Sequence, residues 1–175
     1  MILAEDKCQQ RFAYWWAKAH GFKSGEIDPR PLPGSKRGAG DDWVRDHFPS
    51  ELQTIRQRHS GAWCWLIVLT DADRESTQHR RDQLSEAAAA GGMARPGPGD
   101  PVSILLPKRN IETWVRALEA ELVDEQSDYH RDSKRNPGIC KDAGRALGKA
   151  RDADDGWPPS LREGLRELAK LQAAR

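Results

Sequence analysis

Short apolar runs along the chain alternate with longer stretches in which apolar side chains recur every three or four positions, a rhythm that predicts strands followed by helices. Residues 1–4 form the first such run. Over residues 6–20, Phe12, Trp15, Trp16 and Ala19 share one face at helical spacing, and Gly21 stops that helix. A short strand is predicted near residues 26–32, ahead of a loop at 33–40 rich in glycine and positive charge. Asp41 or Asp42 then caps a second helix that carries Trp43, Val44, Phe48 and Leu52 towards Arg58, with Pro49 predicting a break inside it.

The clearest strand is 63–69, Trp-Cys-Trp-Leu-Ile-Val-Leu, which carries no charge and reads as a central strand buried on both faces. Residues 71–74 end it and 75–90 form a helix; a glycine- and proline-rich loop, a strand at 101–106 and a helix at 110–122 follow. Between residues 124 and 155 charge is dense, and Gly138, Gly144 and Gly148 interrupt helical patterns. A final amphipathic helix at 160–172 docks through Leu161, Leu165, Leu168 and Leu171, with Ser160 as its cap and Glu163 at the third helical position. The predicted fold is α/β, with a parallel sheet of about four strands flanked by helices over residues 1–122. Residues 123–175 form a helical C-terminal extension packed on the same domain.

Composition narrows the setting. No stretch approaches the roughly 18 apolar residues of a membrane span, and the start of the chain lacks the basic and apolar regions of a secretory signal. Cys8, Cys64 and Cys140 are odd in number and widely spaced, so reduced thiols in a cytoplasmic protein are expected rather than a disulfide scaffold or a zinc site. The 28 basic and 27 acidic residues nearly cancel, so any contact with nucleic acid rests on local clusters. Lys36-Arg37, Arg80-Arg81, Lys108-Arg109 and Lys134-Arg135 are those clusters.

The candidate chemistry is carboxylate chemistry. In a parallel sheet functional groups gather beyond the carboxyl ends of the strands. Glu5 follows the first strand, Asp71 and Asp73 follow the central one, and Glu112 lies in the first turn of the helix after the last. Gathered carboxylates repel one another unless a cation neutralises them, and Mg²⁺ (or Mn²⁺) suits hard oxygen ligands that share the ion with substrate phosphates. Each also has a purely structural reading, because acidic residues cap helices and favour their first turns.

This ordered set resembles the TOPRIM fold of topoisomerases, bacterial primases and nucleases of the overcoming-lysogenization-defect type. The matching segments are Ile2-Leu-Ala-Glu5-Asp-Lys, Leu66-Ile-Val-Leu-Thr-Asp71-Ala-Asp73 and Lys108-Arg-Asn-Ile-Glu112-Thr-Trp114. The resemblance implies a Rossmann-like sheet and metal-dependent cleavage of DNA or RNA. It implies Glu5, Asp71, Asp73 and Glu112 as metal ligands and Lys108 as a phosphate contact, with a separate ATPase subunit as partner in a bacterial defence system. Asp6 stands where that pattern usually has glycine, and no G-x-x-x-x-G-K-[ST] segment occurs.

Other features are weaker. The loop around Lys36 and Arg37 offers backbone N–H groups to phosphate but matches no nucleotide-binding pattern. Trp15, Trp16, Trp63, Trp65 and Trp114 read as core, leaving Trp43 and Trp157 as stacking candidates. The histidines show no ligand spacing, His79 being the one near the aspartate pair. The charged segment around Tyr129 and His130 reads as a closing flap or as a solvated appendage. Two further functions compete: a haloacid-dehalogenase-like phosphohydrolase with Asp71 as nucleophile, and a non-catalytic partner of an ATPase.

Overall fold

The computed structural model describes residues 1–33, 40–61, 63–132, 136, 138–150 and 152–174. Most of the basic glycine loop (34–39) and the Lys134-Arg135 pair lie outside the described residues. Three strands, β1 (Ile2–Ala4), β2 (Leu66–Leu69) and β3 (Val102–Leu105), pair in parallel in the order β1-β2-β3. Ile2, Ile67 and Ser103 lie side by side across the sheet, as do Ala4, Leu69 and Leu105. Side chains alternate between faces. Ile2, Ala4, Ile67, Leu69 and Leu105 therefore enter one core, and Leu3, Leu66, Val68, Val102 and Ile104 enter the other. The first core is closed by α1 (Lys7–Ala19), α4 (Ile111–Leu118), α5 (Ile139–Lys149) and α6 (Pro159–Ala173); the second is closed by α2 (Gly40–His59) and α3 (Thr77–Ala90). Covering both faces is what makes every strand position buried. Among the described residues no helix is long and apolar enough to cross a membrane.

Among the described residues three strands form where about four are expected. Residues 24–26 make a short 3-10 turn, and Pro29 then forms one isolated parallel bridge with Ile2. The Ile2 N–H donates to the Asp28 carbonyl at 2.9 Å, and Arg30 N–H donates to the Ile2 carbonyl at 2.8 Å. Prolines at 29, 31 and 33 have no N–H with which to continue such a ladder, so pairing stops there. The central strand is also shorter than its apolar run: Trp63 is 41% exposed, outside the core. Trp15 is only half-buried, with Lys141 and Arg145 lying over its ring.

Pro49 does not break α2, which runs unbroken over 20 residues. Val44, Phe48, Leu52 and Ile55 form one fully buried stripe along that helix, and packing on the sheet outweighs the lost backbone bond. Pro49 itself rests against Gly91, where a Cβ would leave it no room. In contrast, α4 ends early, at Leu118, and Ala120 turns the chain with φ +60°.

The glycines of α5 are its contact face, not interruptions. A Cβ at Gly144 would collide with the Phe12 backbone carbonyl of α1, and one at Gly148 would sit 2.6 Å from the Ala19 Cβ. The missing side chains let the two helices approach backbone to backbone. The same pair of helices carries a disulfide between Cys8 and Cys140, with Cα atoms 5.4 Å apart, which corrects the expectation of reduced thiols throughout. Residues 132 apart in sequence meet only because α5 docks on α1, so spacing along the chain gave no sign of the pair.

Ser160 is not the cap of the last helix, whose N-cap is Pro158. It is buried in the helix's first turn, where its hydroxyl accepts a 2.8 Å bond from the indole N–H of Trp114. Glu125 instead accepts the Ser160 backbone N–H, at 2.9 Å. Ser160→Ala strands a buried indole N–H and is expected to cost about 1–3 kcal/mol. A urea unfolding midpoint unchanged from wild type would contradict this.

Candidate functional site

The carboxyl ends of the three strands lie level, and the backbone beyond them remains tied together. Thr70 N–H donates to the Leu105 carbonyl at 3.3 Å, and Ala72 N–H donates to that of Pro107 at 2.8 Å. Asp71 is therefore held between two ladder contacts. Glu5, one residue past β1, reaches across to it: its Oε2 accepts from the Thr70 hydroxyl at 2.7 Å and from the Asp71 N–H at 3.2 Å. Gly40, the first residue of α2, packs against Glu5 so closely that a Cβ there would lie 3.0 Å from the Glu5 Cβ. Asp6, standing where the resemblance expects glycine, caps α1 by accepting the Gln9 N–H at 2.8 Å. The Gln9 side chain in turn accepts the Glu5 N–H, at 3.3 Å.

These contacts crowd carboxylates in a dry place. Burial pushes the Glu5 carboxyl up from 4.5 to about 7, the Thr70 hydrogen bond opposes it, and the charge of Asp6 adds to the rise. Asp71 is pushed well above the ordinary carboxylate range, first by burial and then by the charges of Glu5, Asp6 and Glu112. Its Oδ1 is buried and has no hydrogen-bond partner among the described residues. Glu112, 1% exposed, stands in the first turn of α4 on the neighbouring strand end. Glu5, Asp71 and Glu112 thus come from three adjacent strand ends, Asp71 and Glu112 buried and Glu5 half-buried.

Asp73 and Lys108 sit differently. Asp73 adopts φ +51° in the turn after β2 and is exposed, 3.7 Å from the guanidinium of Arg80. Arg80 is buried and pairs with Asp41 at 2.8 Å, so it ties this turn to the start of α2. Asp73 adds the least of the named charges to the rise at Asp71. Lys108 directs its ammonium to the Glu75 carbonyl, across the loop that follows the aspartate pair. Beside it a cleft of 370 Å³ opens between α3 and α6, lined by Thr77, Arg81, Lys108, Ser160, Glu163 and Arg166 among others. His79 lies on the surface with its ring against Gln83, and Trp43 stacks on His47. Among the described residues no three His, Cys, Asp or Glu side chains already enclose a metal position.

Several participants were not singled out in the sequence. Thr70 is adjacent to Asp71 and had a weak signal there; Gln9 and Gly40 had none. The segment after α4 also returns to the site. Asp128 accepts from the Asn110 side chain at 2.9 Å and lies 3.6 Å from Arg109, which brings His130 to 3.9 Å from Glu112. Compared with known proteins, the chain matches no family model, no curated protein and no solved structure.

Proposed function

We propose that this protein is a metal-dependent nuclease that hydrolyses phosphodiester bonds of DNA or RNA, with a TOPRIM-like arrangement of its acidic residues. The observation that carries the reading is the buried Asp71 Oδ1, without a hydrogen-bond partner among the described residues, on a residue whose N–H is bonded by the Glu5 carboxylate. A cation would neutralise the repulsion between these two carboxyls, and the oxygen-only donor set fits Mg²⁺ or Mn²⁺. Glu5, Asp71 and Glu112 would hold the ion, with Asp73 at the margin. When bound, the ion would supply charge neutralisation and polarise a phosphate.

The chain's own groups have distinct tasks in this reading. The Thr70 hydroxyl and the Asp71 N–H fix the Glu5 carboxylate in one orientation. Lys108, Arg81 and Arg166 line one cleft, where Glu163 and Glu167 pair with the arginines, and would turn cations towards a phosphate backbone only by exchanging those partners. An ATPase, where the reaction needs one, would be a separate subunit. The dehalogenase-like alternative has no observation in its favour: Asp73, the acid/base that it needs, is exposed beside Arg80.

Calorimetric titration with Mg²⁺ and Mn²⁺ tests the proposal, wild type against Asp71→Asn, followed by incubation with labelled single- and double-stranded DNA and RNA. The expected result is wild-type binding that Asp71→Asn abolishes, and metal-dependent cleavage reduced at least about a thousandfold in the variant. Full cleavage by Asp71→Asn would refute the reading.

A further inference from the structure

We infer that this protein binds a small, neutral, planar heteroaromatic molecule through a hydrogen-bond acceptor, in a cavity at the edge of the sheet where the strands begin. The cavity has a volume of 410 Å³ and lies at the opposite strand ends from Glu5 and Asp71. Its floor is formed by Ile2, Ile27, Ile67 and Leu171, all buried. Sites for small molecules have this size and this apolar lining, with a few polar groups that fix orientation.

Three tryptophans line the cavity, and their indole N–H groups differ. That of Trp65 donates to the Ser103 hydroxyl at 3.0 Å, and that of Trp63 to the Ala174 carbonyl at 2.8 Å. Trp16 is fully buried, yet its N–H has no hydrogen-bond partner among the described residues. The His20 ring packs edge-on against it at 4.3 Å and holds the indole plane. A buried donor without an acceptor is costly, and an acceptor on a bound molecule would satisfy it. Trp16 is therefore the polar anchor of an otherwise apolar floor.

At the mouth, Phe22 and Trp63 stack with ring centres 5.7 Å apart and planes 24° from parallel. An aromatic wall of this kind selects flat rings. Charge around the mouth is mixed: Glu26, Asp28 and Arg58 are exposed there, and Asp28 pairs with Arg30 at 3.1 Å. Among the described residues no positive excess draws an anion into the cavity, and a cation would meet the Trp16 donor instead of an acceptor. A neutral ring carrying a carbonyl or a ring nitrogen fits both constraints.

The test is titration of ¹⁵N-labelled protein with quinoline, whose ring nitrogen only accepts, and with free indole, whose N–H only donates. The readout is the signals of the seven tryptophan indole N–H groups, assigned to their residues. At neutral pH quinoline should move the Trp16 signal downfield, with half-saturation on the order of 1 mM. Free indole should bind at least about tenfold more weakly and give no such shift. Trp63→Ala removes an exposed ring and leaves the core in place, and should weaken quinoline binding at least about threefold. A Trp16 signal that quinoline leaves unmoved overturns the assignment. Equal affinity for the two probes, or an unchanged quinoline affinity in Trp63→Ala, overturns it as well. The readout involves neither metal nor cleavage, so its outcome is separate from that of the nuclease reading.

Discussion

In the absence of divalent metal the protein is expected to lose about 3 kcal/mol of stability as pH rises from 4.5 to 7, through Glu5 alone. The folded state holds the Glu5 proton up to about pH 7, whereas the unfolded chain releases it near 4.5. Across that window the folded state binds more protons, so each step up in pH favours unfolding. The stability is fully present below pH 4.5 and is gone above 7. Asp71, shifted in the same direction by burial and its acidic neighbours, adds to the loss. The carboxyls that Arg56 and a backbone N–H hold low, Asp100 and Asp128 respectively, act below about pH 4 and do not enter the window. Urea unfolding in chelator at pH 4.5, 5.5, 6.5 and 7.5 measures the slope. Glu5→Gln should flatten it, and saturating Mg²⁺ or Mn²⁺ should restore the wild-type loss at pH 7.5, because the ion binds the deprotonated carboxylates of the native state. A wild-type profile as flat as that of Glu5→Gln would mean that Glu5 is not buried as described.

Reduction of the Cys8–Cys140 bond is expected to destabilise the protein by about 2–4 kcal/mol, lowering the melting temperature by roughly 5–15 °C. The bond closes a loop spanning 132 residues of sequence separation, which contains β2, β3, the helices α2 to α4 and most of α1. Opening it returns conformational freedom to the unfolded chain, an effect that grows slowly with loop length. Native contacts survive, because Gly144 and Gly148 still seat α5 on α1. Melting with and without dithiothreitol, on wild type and on Cys8→Ala/Cys140→Ala, separates this from general effects of reductant. Wild type should fall to the level of the double variant on reduction, and the double variant should not respond. Two titratable thiols at these positions in the oxidised protein, with no response to reductant, would show that no bond exists.

Much of the candidate site was legible because it depends on local order. Glu5, Asp71 and Glu112 each sit at a fixed short distance after an apolar run, and parallel pairing places such positions at one edge of the sheet. The role of Asp73 was less legible. Its φ of +51° and its exposure come from the turn it occupies and from Arg80 beside it, which side-chain type and spacing do not encode. His130 was illegible for a different reason. Its place depends on Asp128 and Arg116 binding back to α4 and its cap, contacts made over 16 to 18 residues of a charged segment with no periodic pattern.

The sequence by itself determined the order of the three parallel strands and of the helices between them, and the fully apolar strand interiors that require two covered faces, because hydrophobic periodicity is a local property of the chain. It also determined the acidic positions at the strand ends. Tertiary structure alone decided the rest. Apolar contact carried α2 through Pro49, a proline-spaced segment was limited to one bridge beside β1, and two glycines became the seat of α5 and brought Cys8 to Cys140. It also decided which carboxylates lost their water. That depends on what packs over them, Gly40 on Glu5 and the helix α4 around Glu112, and such contacts exist only once distant parts of the chain have met.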